Sequence, residues 1–387
     1  MSDASVQRAS RALIHIDYLR ENISLVRKTT GAKICLPVKA DAYGHGALSI
    51  VKAALASGVE YFAVATVGEG RELRDGGIHA PIILLSIVLP EEIDSLIAAE
   101  LEPLAGDSEY ITLLEKGAAK AGKKLPVHLK IDTGMGRIGC NAGDAIALAG
   151  SIAASKYLIL AGTATHLAVS DSFKNGDIAY TKTQIDQFSA IIESIKKSGI
   201  DPGIVHAANT GGVTFHNYSW FDMVRPGILL YGYSPPDHEG KAALAVKPLM
   251  ELQSAITFIK NIKKGQSISY GRTWTAGEDT VIGTIPLGYG DGLCRLLSNN
   301  WQIALGINNQ DKKNENKGTM LSLVGRICMD QSMVNLGNDS MARRWDPVTI
   351  FGGLAPDAGK MALTLNTIPY EITCNINKRV PRVYCES

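Results

Sequence analysis

From about residue 33 to residue 230, short apolar runs alternate with amphipathic stretches. The apolar runs contain many β-branched residues, and they predict strands at residues 33–39, 61–66, 81–86, 101–104, 126–132, 158–166, 203–207 and 221–225. Between them, stretches such as residues 107–121 and 181–198 carry apolar residues at helical spacing, and Asp107 suits a helix start. Strands that are apolar along almost their whole length are typical of a sheet covered on both faces.

Eight strand–helix units are compatible with a doubly wound sheet or with a closed barrel. Polar candidates fall at or just past the carboxyl ends of different strands, namely Lys39, Lys130, Asp132, His166, Asn209 and Arg225. A barrel carries its chemistry at that end of all its strands, whereas a doubly wound sheet concentrates it at one switch point. We therefore predict an α/β fold with a (β/α)8 TIM-type barrel over residues 13–246.

The pattern changes after about residue 247. Short strand-like runs at residues 280–287, 320–326 and 348–351 are separated by turns and by few helical stretches. Residues 247–387 are therefore predicted to form a mostly β C-terminal domain, with residues 1–12 packed on it. Residues 308–318 contain no large apolar side chain and predict a surface loop between two strands.

Charge and cysteine content exclude several functions. The 387 residues include 39 lysines and arginines against 38 aspartates and glutamates, so no electrostatic case exists for binding nucleic acid or a membrane. The longest strongly apolar run, residues 81–90, is about half the length of a membrane helix. The N-terminus lacks the apolar stretch of a secretory signal, and the six cysteines show no Cys-x-x-Cys spacing. We expect a cytoplasmic protein with reduced thiols and no metal site.

Lys39 is the first candidate for chemistry. It ends an apolar run and opens the glycine-rich segment 39–46. Burial among apolar neighbours disfavours the ammonium form and leaves a nucleophilic amine, which suits formation of a Schiff base.

Two further regions suit anion binding. The segment 128–139 joins a strand to a glycine-rich turn, where Lys130 and Arg137 can clamp a carboxylate or can simply be solvated cations. The segments starting at Asn209 and Arg225 follow the last two strands, where barrels commonly bind phosphate. His166 suits either a structural or a functional role, and its place at the same barrel end as Lys39 favours function.

Together these motifs resemble those of alanine racemase, a fold-type III pyridoxal 5′-phosphate enzyme. The matching segments occur in the expected order and span nearly the whole chain: residues 38–46, 130–139, 223–232, 268–271, 324–331 and 379–382.

The resemblance implies that Lys39 holds pyridoxal 5′-phosphate and acts as one acid/base. Tyr270, supplied by the partner subunit of a homodimer, is then the second acid/base on the opposite face of the substrate. Arg225 donates to the pyridine nitrogen, and His166 links Arg225 to Tyr270.

The resemblance also implies the binding residues. Those predicted to hold the cofactor and its phosphate are Tyr43, Asn209, Thr210, Gly227, Ile228 and Lys378. Arg137 and the backbone amide of Met329 receive the substrate carboxylate, and Lys130 matches a lysine that is often carbamylated in this family.

The expected function is interconversion of L- and D-alanine by two-base proton transfer, supplying D-alanine for peptidoglycan precursors. Lys378 replaces a tyrosine common in the family, and Arg272 and Trp274 also depart from its pattern, so a broader-specificity amino-acid racemase is an alternative. A non-catalytic pyridoxal-phosphate-binding protein is a second alternative, against which Tyr270 and the long β segment argue. A decarboxylase of the same fold type fits residues 329–331 less well.

Overall fold

The computed structural model describes residues 8–174, 176–235, 243–306 and 318–386. This described chain divides into two compact units. The barrel unit comprises residues 19–42 and 46–247, and the β unit comprises residues 8–18, 43–45 and those from 248 onwards. The predicted loop at 308–318 lies outside the described residues except for Gly318.

The described chain opens with β1 (Arg11–His15) and α1 (Ile16–Thr30). Eight parallel strands then close a barrel in sequence order: β2 (Lys33–Pro37), β3 (Tyr61–Val64), β4 (Ile82–Leu84), β5 (Glu102–Ala105), β6 (Leu125–Lys130), β7 (Leu158–Ala164), β8 (Ile204–His206) and β9 (Met223–Val224). The predicted eight-stranded barrel is thus confirmed and the doubly wound sheet is excluded. Several strands are shorter than predicted, and Lys39, His166 and Arg225 all follow the last residue of a strand.

Helices alternate with these strands: α2 (Lys39–Gly44), α3 (Ala47–Ala56), α4 (Val67–Asp75), α5 (Ile93–Ala98), α6 (Ser108–Ala121), α7 (Ala145–Ala154), α8 (Asp177–Lys197), α9 (Thr210–Phe215) and α10 (Gly227–Leu230). Short 3₁₀ turns lie at Pro90–Glu92, Ala142–Asp144 and Asn217–Ser219. Asp107 caps α6 as predicted, because its carboxylate accepts from the backbone N–H of Tyr110 at 2.7 Å. The α8 helix begins earlier than the predicted residue 181.

The barrel interior is apolar over much of its height. Small and medium side chains fill it, including Cys35, Ala63, Ile83, Leu104, Ala164 and Met223. Two histidines, His128 and His206, are buried in the same strands. Buried polar groups need hydrogen-bond partners, so both imidazoles are expected to be hydrogen-bonded inside the barrel.

The β unit is built around one nine-stranded sheet in the order β11-β14-β17-β16-β15-β18-β10-β1-β19. Its strands after β1 are β10 (Met250–Ala255), β11 (Phe258–Ile262), β14 (Thr280–Ile285), β15 (Gln302–Leu305), β16 (Thr319–Leu323), β17 (Ser332–Asn335), β18 (Pro347–Phe351) and β19 (Arg382–Cys385), while β12 (Ser267–Ile268) and β13 (Trp274–Thr275) pair separately. β1 runs antiparallel to β10 and parallel to β19. The predicted mostly β domain is confirmed, with β14, β16 and β18 at the predicted runs.

Helices of the β unit are few. They are α11 (Ala358–Thr364), α12 (Pro369–Cys374) and 3₁₀ turns at Tyr270–Arg272, Tyr289–Asp291 and Arg295–Leu297. In the part of the chain that the structure describes, no helix combines the length and apolar character needed to cross a membrane. Within the same residues, no group of three or more His, Cys, Asp or Glu is arranged to hold a metal ion.

Candidate active site

Arg225 follows β9 and is buried at the carboxyl end of the barrel strands. Its Nη2 donates to the carbonyl oxygens of Thr165 at 2.8 Å and Ala207 at 3.3 Å, and its Nη1 donates to His206 Nδ1 at 2.6 Å. Burial and the nearby Arg137 lower the pKa of Arg225, although Cys35 raises it, to about 10. The guanidinium therefore remains charged at neutral pH.

His166 follows β7 and is half-buried beside Arg225. Its Nδ1 lies 3.3 Å from Arg225 Nη2. Because a guanidinium has no acceptor, Nδ1 must accept and Nε2 must carry the ring proton. Burial, and then the charges of Arg225, Lys130, Arg137 and Lys39, hold the pKa of His166 well below its usual range. His166 is therefore a neutral imidazole at neutral pH, and it lies within electrostatic range of four cations.

Lys130 is the last residue of β6 and is only 4% exposed. Its Nζ donates to the carbonyl of Ile131 at 3.0 Å. Burial first, then the charges of Arg225 and Arg137, lower the pKa of Lys130 to about 7, while Asp132 opposes the shift. A large fraction of this amine is consequently neutral and nucleophilic near neutral pH.

Arg137 lies in the turn after β6 and is exposed. The turn is fixed by Asp132, whose carboxylate accepts from the backbone N–H groups of Gly134, Met135 and Gly136 at 2.9 to 3.1 Å. Among the described residues, Arg137 has neither a hydrogen bond nor an ion pair, so its guanidinium is available to an anion.

Lys39 opens a turn with a rare backbone. The four residues after it, Ala40 to Tyr43, have φ angles of 52 to 54°, and the Ala42 N–H bonds the Val38 carbonyl at 2.8 Å. This is a left-handed helical turn, which costs about 1–2 kcal/mol per residue that has a Cβ. Glu69 accepts from the Ala40 N–H at 2.6 Å, and Asp41 accepts from the Ala47 N–H at 2.7 Å. Strain sustained in this way is typical of functional sites.

Lys39 itself is half-buried, not buried as predicted. Its charge nonetheless contributes to the lowered pKa of His166, so the structure brings it to the same barrel end.

The two loops predicted to hold phosphate are tied together. Thr210 Oγ1 accepts from the Leu229 N–H at 3.4 Å, which joins the first residue of α9 to α10. Gly227 and Ile228 are the first two residues of α10, and the first N–H groups of a helix have no acceptor within it. These groups suit a phosphate.

Asn209 forms hydrogen bonds within the protein, and its predicted contact with the cofactor stays a prediction. Its Oδ1 accepts from Ser170 Oγ at 2.6 Å and from the Gly212 N–H at 3.1 Å, and its Nδ2 donates to the Leu167 carbonyl at 3.1 Å. These bonds use the amide to cap α9 and to hold the loop after β7.

The remaining predicted residues belong to the β unit. Tyr270 lies at the tip of the β12–β13 hairpin and is 69% exposed. The positive φ angles of Ser269 and Gly271, 64° and 70°, shape that tip. Ser269 Oγ donates to the Arg326 carbonyl at 2.6 Å, which fixes the hairpin to the segment leading to Met329.

Met329 and Lys378 lie on loops joined by Arg379, which is held by Asp291, a residue that the sequence argument missed. Asp291 is fully buried and accepts from Arg8 Nη1 at 2.5 Å and Arg379 Nε at 2.9 Å. Burial opposes ionisation, but these two arginines and the Gly288 N–H hold the pKa of Asp291 below its usual range. Arg379 also bonds Asp330, next to Met329, at 2.8 Å. Lys378 is exposed beside Arg379. Tyr43, the last of the residues predicted to hold phosphate, packs its ring against that of Tyr370 with centroids 5.5 Å apart.

Known proteins share this combination of units. The family model of the alanine racemase N-terminal domain matches residues 14–235, and that of the C-terminal domain matches residues 249–384. An alanine racemase of Treponema denticola is 47% identical over 387 residues, covering 98% of this chain and 99% of the relative. An alanine racemase of Treponema pallidum is 42% identical over 383 residues, covering 97% of this chain and 99% of the relative.

A solved structure agrees over the full length. That of alanine racemase from Clostridium difficile superposes with a TM-score of 0.90 at 34% identity, covering 99% of this chain and 97% of the other. The chain belongs to the alanine racemase family. The predicted family and the predicted isomerase class are therefore confirmed.

The barrel unit of this alanine racemase family member thus gathers Lys39, Lys130, Arg137, His166 and Arg225 at one end of its strands. Sequence reasoning missed His206, which accepts a hydrogen bond from Arg225, and His128, which bonds His206. One signal was available, because each histidine is a polar residue inside an otherwise apolar strand run.

Proposed function

We propose that this chain is a pyridoxal 5′-phosphate-dependent racemase that interconverts L- and D-alanine. The observation that carries the proposal is the gathering of Lys39, His166 and Arg225 at the carboxyl end of the barrel, with Lys130 and Arg137 beside them. It combines a primary amine, a neutral imidazole and a permanently charged donor.

The donor set fits the cofactor. Four basic side chains act on His166, while Asp132, a carboxylate beside Lys130, is occupied by backbone N–H groups. Such a positive region suits a ligand carrying a phosphate and a carboxylate. Lys39 would hold the cofactor covalently, and Arg225 would donate to its ring nitrogen. Tyr43, Thr210, Gly227 and Ile228 would hold the phosphate. When bound, pyridoxal phosphate withdraws electrons from the amino acid and so acidifies the Cα–H bond.

Two residues then move the proton. Lys39 Nζ takes or returns a proton on one face of Cα, and the phenol of Tyr270 does so on the other. Arg225 donates hydrogen bonds without giving up its proton, which limits delocalisation of charge into the ring and favours return of the proton to Cα. His166, neutral and with Nδ1 accepting from Arg225, presents its Nε2–H for a link towards Tyr270.

Substrate binding is assigned to Arg137 and the Met329 backbone amide, which receive the carboxylate. Lys130 supports Arg137. Because its amine is buried and its pKa is about 7, the neutral amine can add to carbon dioxide and release one N–H proton, and the resulting carbamate anion would orient the Arg137 guanidinium.

Tyr270, exposed at its hairpin tip, is assigned to the site of a second copy of the chain, so the active form is a homodimer with shared sites. We place the enzyme in the cytoplasm, where D-alanine enters peptidoglycan precursors. The family assignment supports the proposed homodimer, the cytoplasmic location and the use of D-alanine.

The experiment is a racemisation assay of the full chain with added pyridoxal phosphate, across a panel of L-amino acids. We expect turnover of L-alanine in the wild type and none in Lys39→Ala. Borohydride should fix cofactor to the wild type only. Lys33→Ala is the matched control and should behave like the wild type, because Lys33 lies at the exposed start of β2, the strand that precedes Lys39. Cofactor still fixed to Lys39→Ala would refute the assignment of Lys39.

A further inference from the structure

A hydrogen-bonded series runs inside the barrel behind Arg225. Arg225 Nη1 lies 2.6 Å from His206 Nδ1, and His206 Nε2 lies 3.0 Å from His128 Nδ1. His128 Nε2 lies 2.8 Å from Glu102 Oε2. The two histidines are 1% and 0% exposed, and Glu102 begins β5 at the opposite, amino end of the strands. The series therefore crosses the barrel from one end to the other.

The proton positions in this series follow from its two ends. Arg225 only donates, so His206 Nδ1 must be an acceptor and its Nε2 must carry the proton. That proton goes to His128 Nδ1, which leaves His128 Nε2 to donate to Glu102. An ionised carboxylate only accepts, so both ends demand the same tautomer of both rings.

The fold makes room for this arrangement. A Cβ at Gly162, on the strand beside His128, would lie 2.4 Å from His128 Nδ1. Only glycine leaves space for the imidazole at this register. Burial, with the charge of Arg225 second, holds the pKa of His206 well below its usual range, so the ring stays neutral.

The series also supplies an acceptor for the buried charge of Arg225. The guanidinium is buried, and in the described part of the chain it forms no ion pair with a carboxylate. A buried cation needs well-placed acceptors. Two of its acceptors, His206 Nδ1 and His166 Nδ1, would become donors after a tautomer change, and His206 Nδ1 lies at the shorter distance, 2.6 Å against 3.3 Å.

We propose that Glu102, acting through His128 and His206, is a positioning residue for Arg225. Its carboxylate locks both histidines in the tautomer that gives the guanidinium an acceptor. The inference rests on the proposed function in one respect, namely that Arg225 contacts the cofactor.

The decisive variant is Glu102→Gln. An amide both donates and accepts, so it satisfies His128 in either tautomer. The variant keeps the hydrogen bond, removes the constraint at the Glu102 end and leaves Arg225 alone to favour the native tautomer. In the flipped series, His206 Nδ1–H would face the guanidinium, donor against donor. Glu102→Asp keeps an acceptor-only group and is the conservative rescue.

The matched control is Glu60→Gln. Glu60 immediately precedes β3 at the same barrel end and pairs with Arg27 at 3.0 Å and with the Ile34 N–H at 3.1 Å. Its loss removes a carboxylate and an ion pair from the barrel without touching either histidine.

The first readout is ¹⁵N NMR of histidine-labelled full-length protein before cofactor is added. In the wild type we expect His128 and His206 both to have Nε2 protonated and Nδ1 unprotonated. Glu102→Gln should show a second tautomer, whereas Glu102→Asp and Glu60→Gln should not. Wild-type His206 with a protonated Nδ1 would overturn the proposal even if Glu102→Gln fails to fold.

The second readout is cofactor affinity, together with kcat and KM. Carboxylates that orient metal-bound histidines are worth about 10- to 100-fold, and we expect Glu102→Gln to weaken pyridoxal phosphate binding and lower kcat by about 10-fold. KM for alanine should stay unchanged, and Glu102→Asp should recover most of the cofactor affinity and of kcat. Wild-type-like tautomers and affinity in Glu102→Gln would refute the inference. A wild type that shows the predicted tautomers but no racemisation would instead refute the proposed function alone.

Discussion

Replacing Lys130 with methionine should make the protein more stable near neutral pH and change how its stability depends on pH. Lys130 is 4% exposed, and burial with neighbouring arginines lowers the pKa of its amine from 10.5 to about 7. That difference corresponds to about 5 kcal/mol of unfavourable burial when the amine is charged. Methionine has a similar unbranched shape and carries no charge.

The dependence on pH has a definite sign. Between pH 7 and the unfolded value of 10.5, the unfolded chain keeps the Lys130 proton while the folded chain loses it. Stability therefore rises with pH in this window, because the unfolded state binds more protons. From about pH 7 to about pH 9, the wild type should gain about 2 kcal/mol relative to Lys130→Met.

The assay is urea unfolding of cofactor-free wild type and Lys130→Met at several pH values, in buffer free of carbon dioxide so that the amine is not modified. Lys116→Met, on the exposed face of α6, is the control and should follow the wild type. If the wild type and Lys130→Met keep a constant difference between these pH values, the buried, easily deprotonated amine is refuted. Added bicarbonate should stabilise the wild type but not Lys130→Met if the carbamate forms.

The remaining predictions concern the β unit. Tyr270→Phe should lower racemisation by about 10²-fold or more while cofactor binding persists, because the phenol acts only in proton transfer; near-normal turnover in both directions would exclude Tyr270 from the reaction. Mixing Tyr270→Phe with Lys39→Ala should restore activity in mixed dimers, and no recovery after verified subunit exchange would contradict a shared site. Lys378→Tyr should narrow the substrate range towards alanine, shifting kcat/KM for alanine against serine by about 1–3 kcal/mol, or roughly 10- to 200-fold. Identical kcat/KM ratios for wild type and variant would show that Lys378 does not line the pocket.

The barrel could be predicted from the sequence because its signal is local and repeated. Apolar strand runs demand cover on both faces, and alternation with amphipathic helices supplies it. Lys39, His166 and Arg225 then had to gather, since the carboxyl ends of parallel barrel strands lie at one end. The family motifs added the assignments of Tyr270, Met329 and Lys378, which stay predictions.

Strand register and burial determined the hydrogen-bond partners and the protonation states, which the sequence did not reveal. Glu102 and His128 are 26 positions apart, and His128 and His206 are 78 apart, so only the pairing of strands around the closed barrel brings them into one series. The left-handed turn after Lys39 likewise depends on Glu69, from another element, to hold residues that locally disfavour it. The pKa of Lys130 depends on how completely the fold removes its amine from water. Local pattern thus determined which elements form and where their ends meet, whereas long-range packing determined the partners and protonation of the groups placed there.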